Sequence, residues 1–405
     1  IIIYSVQIKF PPVFYVQGEK VFLYILQKKM KSTTIDTVNR AYTIPSLSEN
    51  TILRYFNFIA LYIAQGIPEG ILTFGIPAWM AMHGKSLTEI GSFVAMSGLP
   101  WSFKIIVAPL MDRFTYLPMG RRRPWVLLGQ FGLMMSFMAM AFIDDPLNNM
   151  SALMAAGFAV GFFGAFQDVA TDGMAVDIVP VKEQARANGF MWVAKIIGTS
   201  VSLALGSWLI NEYSFKVCIL SLSIGVSLIM LVPIFLRERS GEKLMPWTAG
   251  EASHETKKMQ LFSWKVIMQS IYKVFSLRNS LIIAIVGFIS QGGFNYMSTL
   301  LPSFTVKELG WTDQQYSSHY ATASLIGGIG GMLIGGFLID RYGKKSMVNI
   351  YFFLMVITAL AFGLLKNYWS ATWFITGFMI IYKLIYVFFS IGLFAISMQC
   401  CWKKV

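Results

Sequence analysis

Carboxylates lie inside apolar stretches of this sequence, where a charged side chain is costly and is a functional candidate by default. Glu69 lies in one such stretch, one helical turn after Gln65, and Asp168 and Asp172 lie four residues apart in another. This spacing places both aspartates on one helix face, where low dielectric disfavours ionisation of both. We expect the pair to share a proton that leaves when a cation or solute arrives. Static ion pairs are the alternative for all three carboxylates.

Two lysines, Lys195 and Lys383, also lie among apolar residues, too deep for their ammonium groups to reach water easily. They are predicted to neutralise the carboxylates or to bind an anionic solute. A counter-ion role without solute contact is the alternative. Gln291 and Asn295 share a face of a later apolar stretch and are predicted to hydrogen-bond sugar hydroxyls or a peptide. The alternative is that they form hydrogen bonds between helices. Lys104 is expected to be structural.

The composition excludes an ordinary soluble enzyme. Of 405 residues, 56% are hydrophobic and 13% are charged, about half the charged fraction of a typical soluble domain. The net charge of +13 would suggest nucleic acid for a soluble chain, but the basic residues lie in loops between apolar runs. The sequence therefore predicts a monomeric, multi-spanning protein whose partners are a lipid bilayer and a small-molecule solute. No catalytic triad, metal-ligand spacing or nucleotide motif appears, so no enzyme activity, metal or cofactor is predicted.

Ten segments are long enough to cross a bilayer, which takes about 20 residues. They are predicted at 54–82, 88–111, 124–143, 151–178, 186–210, 215–236, 279–305, 316–339, 347–366 and 370–398. The chain thus divides into an extension and tail (1–53, with Met30 a possible true start), a six-helix bundle (54–236), a linker (237–278) and a partial four-helix bundle (279–405). Within the linker, Gln260–Leu277 has the spacing of an amphipathic helix, lying on the membrane or packed on the bundle.

Basic residues in the loops predict the orientation. Most of them follow the second, fourth, sixth and eighth spans, whereas the other loops contain only Lys85, Lys216, Lys307 and Lys366. The positive-inside rule places the richer loops, and with them the N-terminus, in the cytoplasm.

Two of these cytoplasmic loops repeat a pattern. Asp112-Arg113 followed by Gly120-Arg121 comes after the second span, and Asp340-Arg341-Tyr-Gly-Lys344 comes after the eighth. Both loops are predicted to gate the cavity. Asp177, near the cytoplasmic end of its span, is predicted to pair with Arg113 or Arg121 as a latch. A loop pattern repeated in two halves joined by a long linker indicates parallel repeats.

The second copy of this loop resembles the loop motif of the major facilitator superfamily, and the resemblance extends over residues 54–398. The strings Gln65–Gly70, Ala108–Trp125 and Phe166–Asp177 resemble the peptide/acetyl-coenzyme A transporter branch, which includes the AmpG muropeptide permeases. The resemblance implies an all-α membrane fold and proton-driven, alternating-access uptake of a muropeptide, amino-sugar or related anionic solute. It also implies the inner membrane of a bacterium. An acetyl-CoA-like solute is an alternative.

Members of this superfamily have twelve helices, and ten are visible here. The resemblance implies that the Asp of the first loop docks on the eleventh helix, so we expect Asp112 to lack its partner. We also expect the second bundle to expose Gln291, Asn295 and Lys383. A truncated remnant or a non-transporting membrane sensor is the rival interpretation.

Overall fold

The computed structural model describes residues 46–180, 183–259 and 263–402, and the regular secondary structure in these ranges is helical. Ten helices there are long and apolar enough to cross a membrane, at the positions predicted from the sequence. Most of the predicted extension and tail, including Met30, lies outside the described residues. The side chain of Asp340 and the first residues of the predicted amphipathic segment, 260–262, lie outside them as well.

Six long helices form the first bundle: α1 Thr51–Met82, α2 Leu87–Arg113, α3 Arg123–Ala141, α4 Met150–Ile178, α5 Gln184–Glu212 and α6 Phe215–Phe235. Two short helices lie in the linker: α7 His254–Lys258 and α8 Trp264–Phe275. Four long helices follow: α9 Arg278–Lys307, α10 Asp313–Tyr342, α11 Lys344–Leu364 and α12 Thr372–Trp402.

Helix α1 is irregular in its middle. Pro68 ends the α-helical part, and Glu69–Gly75 forms a π-helical turn before regular helix resumes. Proline lacks the N–H that an α-helix needs and its ring crowds the preceding turn, so the wider turn accommodates it. The α-helical hydrogen-bond ladder is thus interrupted at Pro68, and Glu69 is the first residue of the π turn.

Helix α2 has a second irregularity. Pro100 lies in a 3-10 segment, Leu99–Phe103, between two α-helical parts. In this tighter winding, side chains three residues apart lie almost above one another. Trp101 and Lys104 are therefore brought onto one face of α2.

Glycines allow α1 to approach α5 closely. A Cβ atom on Gly66 would lie 2.3 Å from the carbonyl oxygen of Lys195, and one on Gly70 would lie 2.3 Å from that of Thr199. Only glycine allows this approach without a shift of the backbone. It brings Glu69, between these glycines, next to α5.

Among the described residues, the buried apolar cores of the two bundles merge at one end. We call the end that carries the loops 114–122 and 236–253 and Gly343 the basic end. At this end one apolar cluster lies in the first bundle and contains Phe58, Met111 and Met174, while another lies in the second and contains Ile339, Tyr351 and Phe388. At the opposite end a single cluster joins both bundles and contains Phe74, Leu203, Leu301, Tyr316 and Phe378. Among the described residues, the bundles therefore meet at the opposite end and have separate cores at the basic end.

Candidate functional site

An ion pair connects α1 with α5. The Nζ atom of Lys195 lies 2.9 Å from a carboxylate oxygen of Glu69, and both side chains are mostly buried. The predicted neutralisation of a carboxylate by Lys195 is therefore present, with Glu69 as its partner. Because the glycines of α1 set the helix spacing, the ion pair follows from local sequence on both helices.

A second ion pair connects α2 with α4. Lys104 contacts a carboxylate oxygen of the buried Asp168. An ion pair is compatible with the structural role predicted for Lys104, but Asp168 was not predicted as its partner. The available signal was its depth, because Lys104 lies nine residues before Arg113 at the helix end, about 13 Å along the axis.

Asp172 has a different environment from Asp168. Its carboxylate accepts a hydrogen bond from the hydroxyl of Tyr62 and is otherwise exposed. The two aspartates do lie on one side of α4, but each bonds its own partner, and proton sharing between them stays a prediction. Tyr62 was not identified from the sequence, although it lies seven residues before Glu69, two helical turns along the same face.

Lys383 lies on the second bundle, facing these groups. It is half-buried, and no carboxylate lies within ion-pair distance of it among the described residues. Its Nζ atom lies 5.6 Å from the ring centroid of Phe294 and 5.9 Å from that of Tyr320. The charges of Glu69 and Lys195 also act on it. Phe294 in turn stacks on Tyr386 at 4.8 Å. Within the described ranges, Lys383 thus has aromatic and electrostatic neighbours but no direct counter-ion.

These side chains form one polar cluster, which we call the central cluster. Its charged members are three lysines and three carboxylates: Lys104, Lys195, Lys383, Glu69, Asp168 and Asp172. Two ion pairs neutralise four of the charges. Asp172 on the first bundle and Lys383 on the second remain without an ion-pair partner among the described residues.

The predicted solute contacts have other surroundings. Gln65 is buried, with 2% of its surface exposed, and its side-chain oxygen has no hydrogen-bond partner in the described part of the chain. Gln291 donates a 3.3 Å hydrogen bond to Asn295, and both side chains are exposed. Gln291 and Asn295 therefore bond each other rather than a residue of the central cluster.

A charge cluster closes the basic end of the first bundle. Arg121 donates to both carboxylate oxygens of Asp177 at 2.8 Å and to Asp112 at 2.7 Å, and Arg122 contacts both aspartates. The predicted contact between Asp177 and Arg121 is present. The alternative contact with Arg113 is wrong, because the Arg113 guanidinium lies 5.4 Å from the Trp264 ring of α8.

Asp112 has partners within its own bundle, and the expectation that it lacks its partner on an eleventh helix stays a prediction. The loop after α2 folds back on itself, so that Arg121 and Arg122 reach the carboxylate from the same bundle. The second copy of the loop differs. Arg341 lies over the Tyr342 ring at 5.6 Å, and Lys344 begins α11 after Gly343, whose φ is +88°.

The linker begins with a carboxylate that the sequence did not reveal. Glu238 is fully buried and accepts backbone N–H groups of Arg121 at 2.9 Å, Arg122 at 2.7 Å and Arg123. Gly120, with φ +101°, leaves room for it, because a Cβ atom there would lie 2.7 Å from the Glu238 carboxyl carbon. Burial, followed by the nearby charge of Glu242, raises the pKa of Glu238 to about 7. Glu238 therefore caps the N-terminus of α3 from a distance.

The side chain of Arg123 holds the same junction. Its guanidinium is fully buried and donates to the backbone carbonyls of Pro233, Ile234, Lys243 and Leu244 at 2.6–3.0 Å. These acceptors end α6 and continue into the linker. The first part of the linker is thus fixed to the first bundle.

A polar contact joins the bundles at the opposite end. The Asn211 amide on α5 donates to the two carboxylate oxygens of Asp313 on α10, at 3.0 and 3.2 Å. Asp313 is buried. A bond between helices of different bundles, beside the shared apolar cluster, stabilises the closed arrangement at this end.

The Major Facilitator Superfamily model matches residues 58–402. The anhydromuropeptide permease of Escherichia coli strain K12 is 24% identical over 294 residues, which are 72% of this chain and 57% of the permease. The chain thus spans a little over half the length of this relative. A putative AmpG 3 transporter of Rickettsia prowazekii is 24% identical over 160 residues, 38% of this chain and 37% of its own.

Solved structures share the fold. A D-xylose–proton symporter superposes with a TM-score of 0.59 at 12% identity, covering 84% of this chain and 80% of its own. The D323A mutant of the nucleoside transporter NupG gives a TM-score of 0.57 at 13% identity, covering 84% and 81%. At these identities the likeness establishes the architecture of two helical bundles.

Proposed function

The chain belongs to the Major Facilitator Superfamily, and we propose that it is a proton-coupled transporter of an anionic solute of the muropeptide or amino-sugar class. It is a multi-pass membrane protein with a transporter fold. The proposal adds the coupling ion and the solute, and it depends on the charges left unpaired in the central cluster.

The observation that carries the proposal is the pair of uncompensated charges. Asp172 and Lys383 have opposite signs and lie on different bundles, without ion-pair partners among the described residues. A proton on Asp172 leaves the cluster with one excess positive charge, at Lys383. A solute carboxylate bound there restores neutrality. Since a net charge is costly in a medium of low dielectric, the protein changes conformation most easily when both sites are empty or both are occupied.

The wall around Lys383 suits a solute with a ring as well as a carboxylate. Phe294, Tyr320 and Tyr386 present aromatic faces beside the ammonium group. Aromatic faces pack against the apolar faces of sugar rings, and the ammonium group attracts carboxylates. Muropeptides combine an amino sugar with carboxylates, and a relative of this chain is an anhydromuropeptide permease.

The conformation suggests which side is open. Placing the basic loops in the cytoplasm, by the positive-inside rule, turns the separated cores toward the cytoplasm. The joined apolar cluster and the bond between Asn211 and Asp313 then lie on the outer side. We infer an inward-open state, in the inner membrane of a bacterium such as those of the relatives.

The test is uptake by proteoliposomes that contain the full chain. With an imposed inward proton gradient, radiolabelled anhydromuropeptide should accumulate, and excess unlabelled acetyl-CoA should not compete. Lys383→Met should weaken solute binding by about tenfold or more, because a partly buried charge contact is lost. Lys216→Met is the matched control, since Lys216 lies 4.8 Å from a Phe142 ring centroid outside the cluster.

Three results would contradict the proposal. Failure of the unmodified chain to accumulate the solute favours a sensor or a remnant. Competition by acetyl-CoA would favour an acetyl-CoA-like solute over a muropeptide. An equal loss of solute binding in the Lys383→Met and Lys216→Met variants would mean that Lys383 has no specific role in binding.

A further inference from the structure

One indole ring contacts both ion pairs of the central cluster. The Nζ atom of Lys104 lies 4.2 Å from the ring centroid of Trp101, and that of Lys195 lies 5.3 Å from it. Lys104 is paired with Asp168 on α4, whereas Lys195 is paired with Glu69 on α1. Trp101 thus contacts the lysine of each ion pair.

The local winding of α2 explains this placement. Trp101 and Lys104 are three residues apart across the 3-10 segment that contains Pro100, so their side chains lie on one face. Helix α4 packs tightly on this segment. A Cβ atom on Gly161 would lie 2.0 Å from the carbonyl oxygen of Ser97 and 3.6 Å from Pro100. Gly161 lies two turns before Asp168, on the same face of α4. The ring and the aspartate are therefore fixed relative to each other.

The ring affects both lysines electrostatically. An aromatic face carries partial negative charge and attracts ammonium groups, most strongly where water is excluded. Two ammonium groups repel each other, and a ring that attracts both keeps them close. A change in the position of either lysine changes its contact with the ring.

We propose that Trp101 is a positioning residue that couples the two ion pairs, so that a proton or solute arriving at one of them is sensed at the other. The inference rests on the proposed transport function for its consequence. Asp168 and Asp172 lie one turn apart on α4, and Glu69 lies near Lys383, so coupling through Trp101 connects the proton-binding side with the solute-binding side. Without the ring, the two events are less strongly coupled and gradient energy is lost.

The first test needs no solute. Melting temperatures of the full chain in detergent are measured for Glu69→Gln, Asp168→Asn and the double variant, with and without Trp101→Leu. We expect the effects of the two charge substitutions to be non-additive in the parent and to approach additivity in the Trp101→Leu background. A purely structural tryptophan would lower every melting temperature and leave the non-additivity unchanged, which would overturn the proposal.

The second test separates transport steps. In proteoliposomes, Trp101→Leu should lower gradient-driven accumulation of anhydromuropeptide about tenfold while solute exchange without a gradient stays within about twofold. Trp101→Phe, which keeps an aromatic face, should retain more than half of the accumulation. Trp192→Leu is the control, because Trp192 lies 5.2 Å from Lys195 on α5 and is not part of the α2 segment.

Equal losses of accumulation and exchange in Trp101→Leu would contradict the coupling role. Equal losses of accumulation in Trp101→Leu and Trp101→Phe would contradict it as well. If Trp101→Leu does not fold, Trp101→Met replaces it in both tests, since it keeps most of the volume without an aromatic face. If the unmodified chain transports no anhydromuropeptide, the proposed function fails. The melting-temperature cycle still decides whether Trp101 couples the ion pairs.

Discussion

Replacing Glu238 with Gln should change how the stability of the protein depends on pH. The pKa of Glu238 is raised from 4.5 to about 7 by burial. Below about pH 4.5 the carboxyl is protonated in both folded and unfolded chains, so the free energy of unfolding carries no penalty from its ionisation. Between these values the folded chain keeps a proton that the unfolded chain has lost, so stability falls as pH rises, by about 1.4 kcal/mol per pH unit. The total is roughly 3 kcal/mol, and above pH 7 this loss is complete.

The measurement is the melting temperature in detergent between pH 5 and pH 8. Relative to Glu238→Gln, the unmodified chain should lose several degrees as pH rises to about 7. Glu251→Gln is the matched control, because Glu251 is an exposed carboxylate of the same linker. Its curve should follow that of the unmodified chain. Parallel curves for the unmodified chain and Glu238→Gln would refute the reasoning, since they would mean that Glu238 does not titrate in this range.

Three further substitutions test other contacts. Asn211→Leu removes the bond to Asp313 across the bundles, worth about 1–2 kcal/mol, and should speed labelling of a cavity cysteine by an impermeant thiol reagent from the outer side; an unchanged rate would exclude a latch. Arg123→Met leaves buried carbonyls without a donor and should lower stability by at least about 2 kcal/mol, whereas an unchanged melting temperature would mean that water replaces the guanidinium. Ser253→Cys should be labelled only from the cytoplasm, and labelling from outside intact cells would reverse the orientation.

The sequence was sufficient to predict the membrane-spanning segments and which residues share a helix face. Length and hydropathy placed ten helices, because each needs about 20 apolar residues whatever its neighbours. Glycines in α10 likewise allow close packing, as at Gly327, where a Cβ atom would lie 2.9 Å from the Ile380 carbonyl oxygen of α12. Such features depend on local sequence.

The partners of the charged residues were harder to predict. Lys104 and Asp168 are 64 residues apart, and Tyr62 and Asp172 are 110 apart. Helical periodicity gives the face of each side chain but not the helix that it meets. Asp112 shows the same limit. Its expected partner came from a family resemblance, whereas its actual partners come from the fold of the short loop beside it.

The role of Asp172 in proton coupling is tested most directly by Asp172→Asn. Asparagine keeps the shape and can still accept a hydrogen bond from Tyr62, but it does not titrate. The control is Asp145→Asn, in an exposed loop where φ is +45°, a conformation that Asn tolerates. In proteoliposomes, Asp172→Asn should abolish accumulation of anhydromuropeptide against its gradient and leave solute exchange measurable. The Asp145→Asn control should both accumulate and exchange the solute. Unchanged uphill accumulation in Asp172→Asn would contradict coupling through this carboxylate.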